Sequence, residues 1–202
     1  MKYLFLIIGF SLAFINISVF AKPLDVGQGD EIFHMSLPLS KKIAFKISSS
    51  DTPINFDDLP FNQSIKSIKG NGSKKIAVFY EIDCDYCRHL ERYELSKITN
   101  VTVYTFLFTN DENKNAVSWK KAESIWCAAN VNQAWQDFIF KDDIASNYEA
   151  CKNPIKQNKI LALKLGVKAT PTIIFSNGNK AVGMIKAKDI EQRLLDANFY
   201  SN

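Results

Sequence analysis

The stretch that decides the fold is IAVFYEIDCDYCRHLE, residues 76–91. Ile76–Glu81 is a short, mostly apolar run of the kind a buried strand presents. Asp85–Lys97 then takes up helical spacing, with Tyr86, Leu90 and Tyr93 expected on one face. Between them lies Cys84-Asp85-Tyr86-Cys87, two cysteines three positions apart at a strand-to-helix junction. Unpaired N–H groups and the dipole at a helix start favour a negative thiolate. Cys84 comes first, is expected to be the more exposed, and is read as the nucleophile. Cys87, within the first turn, is read as the resolving thiol that attacks a mixed disulfide at Cys84. Two other readings stay open for this pair. A zinc site needs four ligands, and Cys127, Cys151, His34 and His89 include no second close pair. A purely structural 84–87 disulfide closes too small a loop to stabilise much.

Outward from this core the pattern remains regular. Val101–Phe108 is rich in β-branched and aromatic residues and is expected as a strand. Trp119, Ala122, Trp126 and Ala129 follow helical spacing, as do Val131, Ala134, Trp135, Phe138 and Ile139. Ile155–Leu165 reads as a helix stopped by Gly166. Thr172–Phe175 and Ala181–Ile185 read as strands joined at Ser176-Asn177-Gly178-Asn179, a hairpin signal. Lys188–Ala197 reads as a last amphipathic helix. The order β-α-β, a helical block, then β-β-α implies an α/β domain with a mixed sheet. Before it, Phe61–Lys69 is expected as a short helix closed by Gly70-Asn71-Gly72-Ser73.

Cys127 and Cys151 flank the helix around Trp135. A bridge between them would close a loop of about 25 residues, worth on the order of 3 kcal/mol. It is read as structural, a second redox pair being the rival. Thr170-Pro171 opens a strand. Either a cis bond turns the chain beside another site, leaving the Thr170 backbone as an edge for an extended peptide, or this is an ordinary edge-strand proline. Glu81 is either a proton relay to Cys87 or a plain strand-end carboxylate. Asp83 and Asp85 flank Cys84 and are expected to oppose its thiolate, with Asp85 and Tyr86 the tuning dipeptide; Arg88 and His89 act the other way.

Composition bounds the rest. The 202 residues are 47% hydrophobic and 23% charged, with 25 Lys+Arg against 21 Asp+Glu and a net charge of +4. That supports a buried core and excludes a disordered chain. The basic residues are scattered, without a nucleic-acid-binding cluster. Residues 1–21, MKYLFLIIGFSLAFINISVFA, have the layout of a secretory signal peptide cut after Ala21, with an uncleaved anchor as the alternative. Export places the cysteines in an oxidising compartment. Within 22–55, Glu31–Leu37 and Lys41–Ile47 are candidate strands.

IAVFYEIDCDYCRHLE, SIWCAA (124–129) and LGVKATPTIIFSNG (165–178) together resemble the periplasmic DsbC/DsbG family of thiol:disulfide interchange proteins. The resemblance covers roughly residues 56–197, FDDLPFNQSIKSIKGNGSKK (56–75) resembling the family's linker. It implies a thioredoxin-like fold with a helical insertion at about 112–165. The expected division is signal peptide 1–21, short N-terminal region 22–55, linker with a short helix 56–73 and catalytic domain 74–202. It implies that Cys84 and Cys87 are the redox pair, Cys127–Cys151 a structural disulfide, and Pro171 a cis-proline facing Cys84, with Thr170 beside it in a substrate-binding loop. It further implies a periplasmic disulfide isomerase or reductase with no cofactor beyond its redox-active disulfide and no metal. Expected partners are unfolded or misoxidised exported proteins and a membrane thiol reductant of the DsbD type, with pairing to a second copy left open, but no nucleic acid. Two departures stand out. The glycine-rich, stranded pattern of the family's dimerisation domain is not recognisable in residues 22–55, and Ala169 stands where the family usually has glycine before Thr-Pro. A monomeric dithiol oxidase or reductase is therefore the alternative, as is a redox chaperone dedicated to a secretion or conjugation system.

Overall fold

The computed structural model describes residues 54–144 and 146–199. The signal segment and the two candidate strands of the N-terminal region lie outside the described residues. Five strands form one mixed sheet: β1 (Ile65–Lys69), β2 (Lys74–Glu81), β3 (Val101–Phe108), β4 (Thr172–Phe175) and β5 (Lys180–Val182), in the order β1-β3-β2-β4-β5. β2 and β3 are parallel, and every other pairing is antiparallel. Parallel strands joined by a helical crossover are covered on both faces, which explains why β2 and β3 are apolar almost throughout rather than alternating.

Alternation sorts their side chains between two faces. On one face, Ile76 and Val78 of β2 with Val101 and Val103 of β3 meet Leu90 and Leu95, and Ile190 and Leu194 of α5 (Ala187–Phe199). Further along that face, Tyr80, Ile82 and Leu107 pack on Trp119 and Ile125 of α2 (Val117–Trp126). They also meet Trp135 and Phe138 of α3 (Val131–Lys141). On the opposite face Ala77, Phe79, Phe106 and Phe108 pack against Phe56, Leu59 and Ala162 of α4 (Ile155–Lys164). These clusters hold the C-terminal ends of β2 and β3, where the cysteines emerge, between two helical layers.

Three expectations need correction. Phe61–Lys69 is not a helix: a 3₁₀ turn at Phe61–Gln63 leads into β1, an edge strand of the sheet rather than part of a linker. Ile65 is buried against α3 side chains while Lys66 and Ile68 face outward, a short strand pattern that the glycines after it disguised as a helix stop. Those glycines instead carry the chain from β1 across the start of β3 to β2. The Lys74 N–H donates to Asn100 O at 3.0 Å and the Asn71 N–H to Asn100 Oδ1 at 3.1 Å. Gly70, at φ +61°, lies so close to Asn100 that a Cβ would sit 2.8 Å from its backbone nitrogen.

The second correction concerns the helix after the cysteines. α1 (Asp85–His89) widens into a π turn at Leu90–Glu94 and ends in a 3₁₀ turn at Leu95–Lys97. Its buried side is Cys87, Leu90, Glu91 and Glu94, whereas Tyr86 and Tyr93 are 70% and 52% exposed. Two glutamates on the inner face hid it from hydrophobic periodicity. Glu94 is satisfied there: its carboxylate accepts the N–H of Ala187, the first residue of α5, at 2.9 Å. The third is β5, which ends at Val182 and not Ile185. Gly183, at φ +84°, turns out of the sheet and donates its N–H to Pro171 O at 2.8 Å.

Candidate active site

β2 ends at Glu81, and Ile82-Asp83 lead into Cys84. Ile82 N–H still donates to Phe108 O (3.0 Å) and Cys84 N–H to Glu81 O (3.1 Å), so the junction is tied to the sheet. Cys84 has extended backbone angles, φ −78° and ψ 107°, and caps α1: its Sγ accepts the Cys87 N–H at 3.1 Å. Capping by a sulfur acceptor gives α1 an anion-stabilising start. Cys84 is partly exposed and Cys87 is fully buried among Tyr80, Ile82 and Trp135. Both are free thiols.

The two thiols have opposite acidities. The Cys87 side chain donating to Cys84, helped by the Thr170 side chain and the Cys87 N–H, brings the Cys84 thiol down to about 6. Burial and the nearby Glu81 charge act against that shift. Burial, with Cys84 as a second cause, pushes the Cys87 thiol far up. At neutral pH the pair therefore carries an accessible thiolate and a protonated inner thiol.

The third element arrives from the far end of the chain. The Thr170–Pro171 peptide bond is cis, and Thr170 O lies 3.4 Å from Cys84 Sγ. Thr172 Oγ1 donates to Ala169 O at 2.6 Å and so ties this loop to the start of β4. The structure thus brings Cys84, Cys87 and Thr170–Pro171 together across 86 positions of sequence. Glu81 sits beneath them, 9% exposed, accepting the N–H groups of Asp83 (3.0 Å) and Asn110 (3.5 Å). Burial raises its carboxyl above the ordinary range.

Asp83 and Asp85, expected to oppose the thiolate, are both exposed, and Asp83 is paired with Lys121 of α2 at 2.6 Å. Tyr86 is exposed beside the site. Cys127 and Cys151 are bonded to each other, with Cα atoms 5.6 Å apart. Among the described residues no group of three or more His, Cys, Asp or Glu is placed to hold a metal ion. His89 meets the Tyr93 ring in a tilted arrangement, with ring centroids 4.7 Å apart.

Sequence reasoning missed the groups behind α1. Asp142 takes the left-handed conformation that ends α3, and its carboxylate receives Arg88 at 2.6 Å and Arg92 at 2.8 Å. The Arg88 guanidinium also lies 4.9 Å from the Phe138 ring centre. Arg92 Nε donates to Ile139 O. These contacts clamp the active-site helix to α3. No local signal marks Asp142, because the partners are 54 and 50 positions away.

A family model described as a thioredoxin-like domain matches residues 61–198. The chain belongs to the thioredoxin-like domain family. This thioredoxin-like chain is 35% identical over 141 residues to a probable thiol:disulfide interchange protein DsbC of Bordetella parapertussis, covering 70% of this chain and 49% of the relative. It is 29% identical over 120 residues to the thiol:disulfide interchange protein DsbC of Escherichia coli, covering 59% and 50%. Among solved structures, a disulfide interchange protein from Neisseria gonorrhoeae superposes with a TM-score of 0.62 at 31% identity, covering 69% of this chain and 98% of that one. The matched region spans about half the length of the curated relatives.

Proposed function

We propose that this chain is a periplasmic thiol:disulfide oxidoreductase that isomerises or reduces wrongly paired disulfides in exported proteins. The observation that carries this reading is the asymmetric pair: an accessible Cys84 thiol near pH 6 beside a buried, protonated Cys87. The Cys84 thiolate attacks one sulfur of a substrate disulfide, forming a mixed disulfide and expelling the other sulfur as a thiolate. In isomerisation, a different substrate thiolate, freed directly or by exchange with a neighbouring substrate disulfide, attacks the substrate sulfur of the mixed disulfide; a new substrate disulfide forms, Cys84 leaves as thiolate, and no electrons are transferred overall. In reduction, Cys87 loses its proton and attacks Cys84 Sγ. The substrate leaves as a dithiol, two electrons have passed to it, and the chain holds a Cys84–Cys87 disulfide. An external dithiol, of the kind a membrane reductant supplies, must then reset it.

The roles follow the geometry. Cys84 is the nucleophile and Cys87 the resolving thiol. Thr170 and Pro171 border the substrate, and Glu81 is assigned the relay of the Cys87 proton. Asp85 and Tyr86, exposed at the mouth, are left as tuning positions. The Cys127–Cys151 bridge is structural. The signal-like segment 1–21 and the names of the relatives support a periplasmic location, and no cofactor beyond the cysteine pair is required by this chemistry.

Scrambled ribonuclease is the test substrate. The wild-type chain in glutathione buffer restores ribonuclease activity. Cys84→Ser abolishes this, and Cys87→Ser accumulates a mixed disulfide at Cys84 that survives denaturation. Full activity of Cys84→Ser overturns the proposal. The low Cys84 acidity value also favours a second reading, a dithiol oxidase, because a stabilised thiolate makes the corresponding disulfide more oxidising. Light scattering on the mature chain separates the two: a mass twice the monomer favours the isomerase, and a monomer that oxidises a reduced substrate stoichiometrically favours the oxidase.

A further inference from the structure

We infer that the hollow beside Thr170, between β3, α4 and the loop leading to Pro171, is a substrate subsite. It takes an apolar side chain flanked by an acidic residue in the substrate segment next to the reacting cysteine. This deepens the proposed function and rests on Cys84 being the nucleophile.

The hollow has a volume of about 190 Å³, and Thr170, which lines it, also places its carbonyl 3.4 Å from Cys84 Sγ. Phe108 and Ala162 form a buried apolar floor, Val167 is half-buried, and Leu163 stands at the edge 68% exposed. Hollows of about 150 Å³ hold a benzene ring, so one leucine- or phenylalanine-sized side chain fits. Leu163 lies on the solvent side of α4 with its apolar surface uncovered, which a substrate side chain entering here would bury.

The rim supplies a charge preference. Two lysines line the hollow, and among the described residues no carboxylate does. Lys159 is already committed: its Nζ donates to Asn110 O at 2.9 Å and faces Glu112 at 3.4 Å. Lys168 is exposed and has no ion-pair partner among the described residues. It lies two positions before Thr170, in the loop that leads to the cis Thr170–Pro171 bond. An acidic residue beside the anchored apolar one therefore meets an uncompensated ammonium group, while a basic residue is repelled.

The test compares synthetic disulfide-linked peptides that differ only beside the cysteine, carrying Leu-Asp, Leu-Lys or Ser-Asp on either flank. The rate of mixed-disulfide formation with reduced wild-type chain is measured at low ionic strength, alongside an uncharged small disulfide. Leu-Asp on the favoured flank reacts roughly fivefold faster than Leu-Lys, the scale an exposed charge pair allows, and faster than Ser-Asp. Lys168→Glu reverses the order of Leu-Asp and Leu-Lys, and added salt flattens the wild-type difference. Equal rates for all peptides, with the small disulfide still reacting at Cys84, overturn the subsite and leave the proposed function standing. A small disulfide that does not react at Cys84 overturns both.

Discussion

At the scale of the residue, the proposed chemistry rests on one hydrogen-bonded pair of thiols. Cys84 has its thiol held near 6 chiefly by the Cys87 side chain. Alkylation of the reduced chain followed against pH should show a midpoint near 6 for the fast-reacting thiol, against an ordinary thiol value of about 8.5. Cys87→Ala removes the largest stabilising contact and should move that midpoint upward. A depressed acid stabilises the folded reduced form above its ordinary value, and this contribution is lost as pH falls through the folded one. The reduced form should accordingly lose stability between about pH 9 and 6, relative to a chain with Cys84→Ala. Glu81 supplies an opposing negative charge from a buried position, whereas Asp85 is exposed to solvent screening. Glu81→Gln should lower the Cys84 midpoint more than Asp85→Gly does. The reverse ranking would return the tuning role to the exposed dipeptide.

At the scale of the element, the helix after the cysteines shows how a polar residue can occupy a core face. Glu91 is 2% exposed; Lys69 Nζ lies 3.9 Å from its carboxylate, and among the described residues its Oε2 has no hydrogen-bond partner. Burial raises its carboxyl, with Lys69 acting against the shift. A raised carboxyl favours the folded state at low pH, and that contribution is lost as pH rises through the folded value. Glu91→Gln removes this dependence. It should stabilise the chain by on the order of 1 kcal/mol at pH 8 and by much less at pH 4.5, read as the shift in urea midpoint at each pH. A gap that does not widen with pH would mean Glu91 is compensated in a way the Lys69 contact does not explain. The edge strand β1 teaches a related lesson: its five residues alternate too weakly to be told from a helical turn until β3 provides a partner.

At the scale of the whole molecule, cores on both sides of the sheet hold the site and a separate bridge fastens the helical block. Trp135 is 1% exposed and meets Tyr80 edge-on, with ring centroids 4.8 Å apart, directly behind Cys87. Trp135→Ala should cost about 3–5 kcal/mol and expose Cys87 to alkylation. The Cys127–Cys151 bridge spans 24 positions. Replacing both cysteines with serine should lower stability by about 3 kcal/mol in the chain-entropy account, while the pH midpoint of Cys84 stays in place. A moved midpoint would tie the bridge to the redox centre.

Long, strongly patterned elements were legible without the fold. β2, β3, β4 and the helices α2 to α5 follow from apolar runs and helical spacing, because burial of one face dictates those patterns locally. The Cys84–Cys87 pair was legible for the same reason: its meaning comes from a strand before it and a helix after it, within eight residues. Charge partnership across distance was not. That Glu81 rather than a flanking aspartate presses on Cys84, that Lys121 holds Asp83, and that Asp142 clamps Arg88 and Arg92 are outcomes of packing. Likewise, only the folded chain opens a hollow beside Thr170. Local sequence dictates which backbone forms a chain segment prefers. Which charges meet depends on contacts between segments that the linear order does not specify.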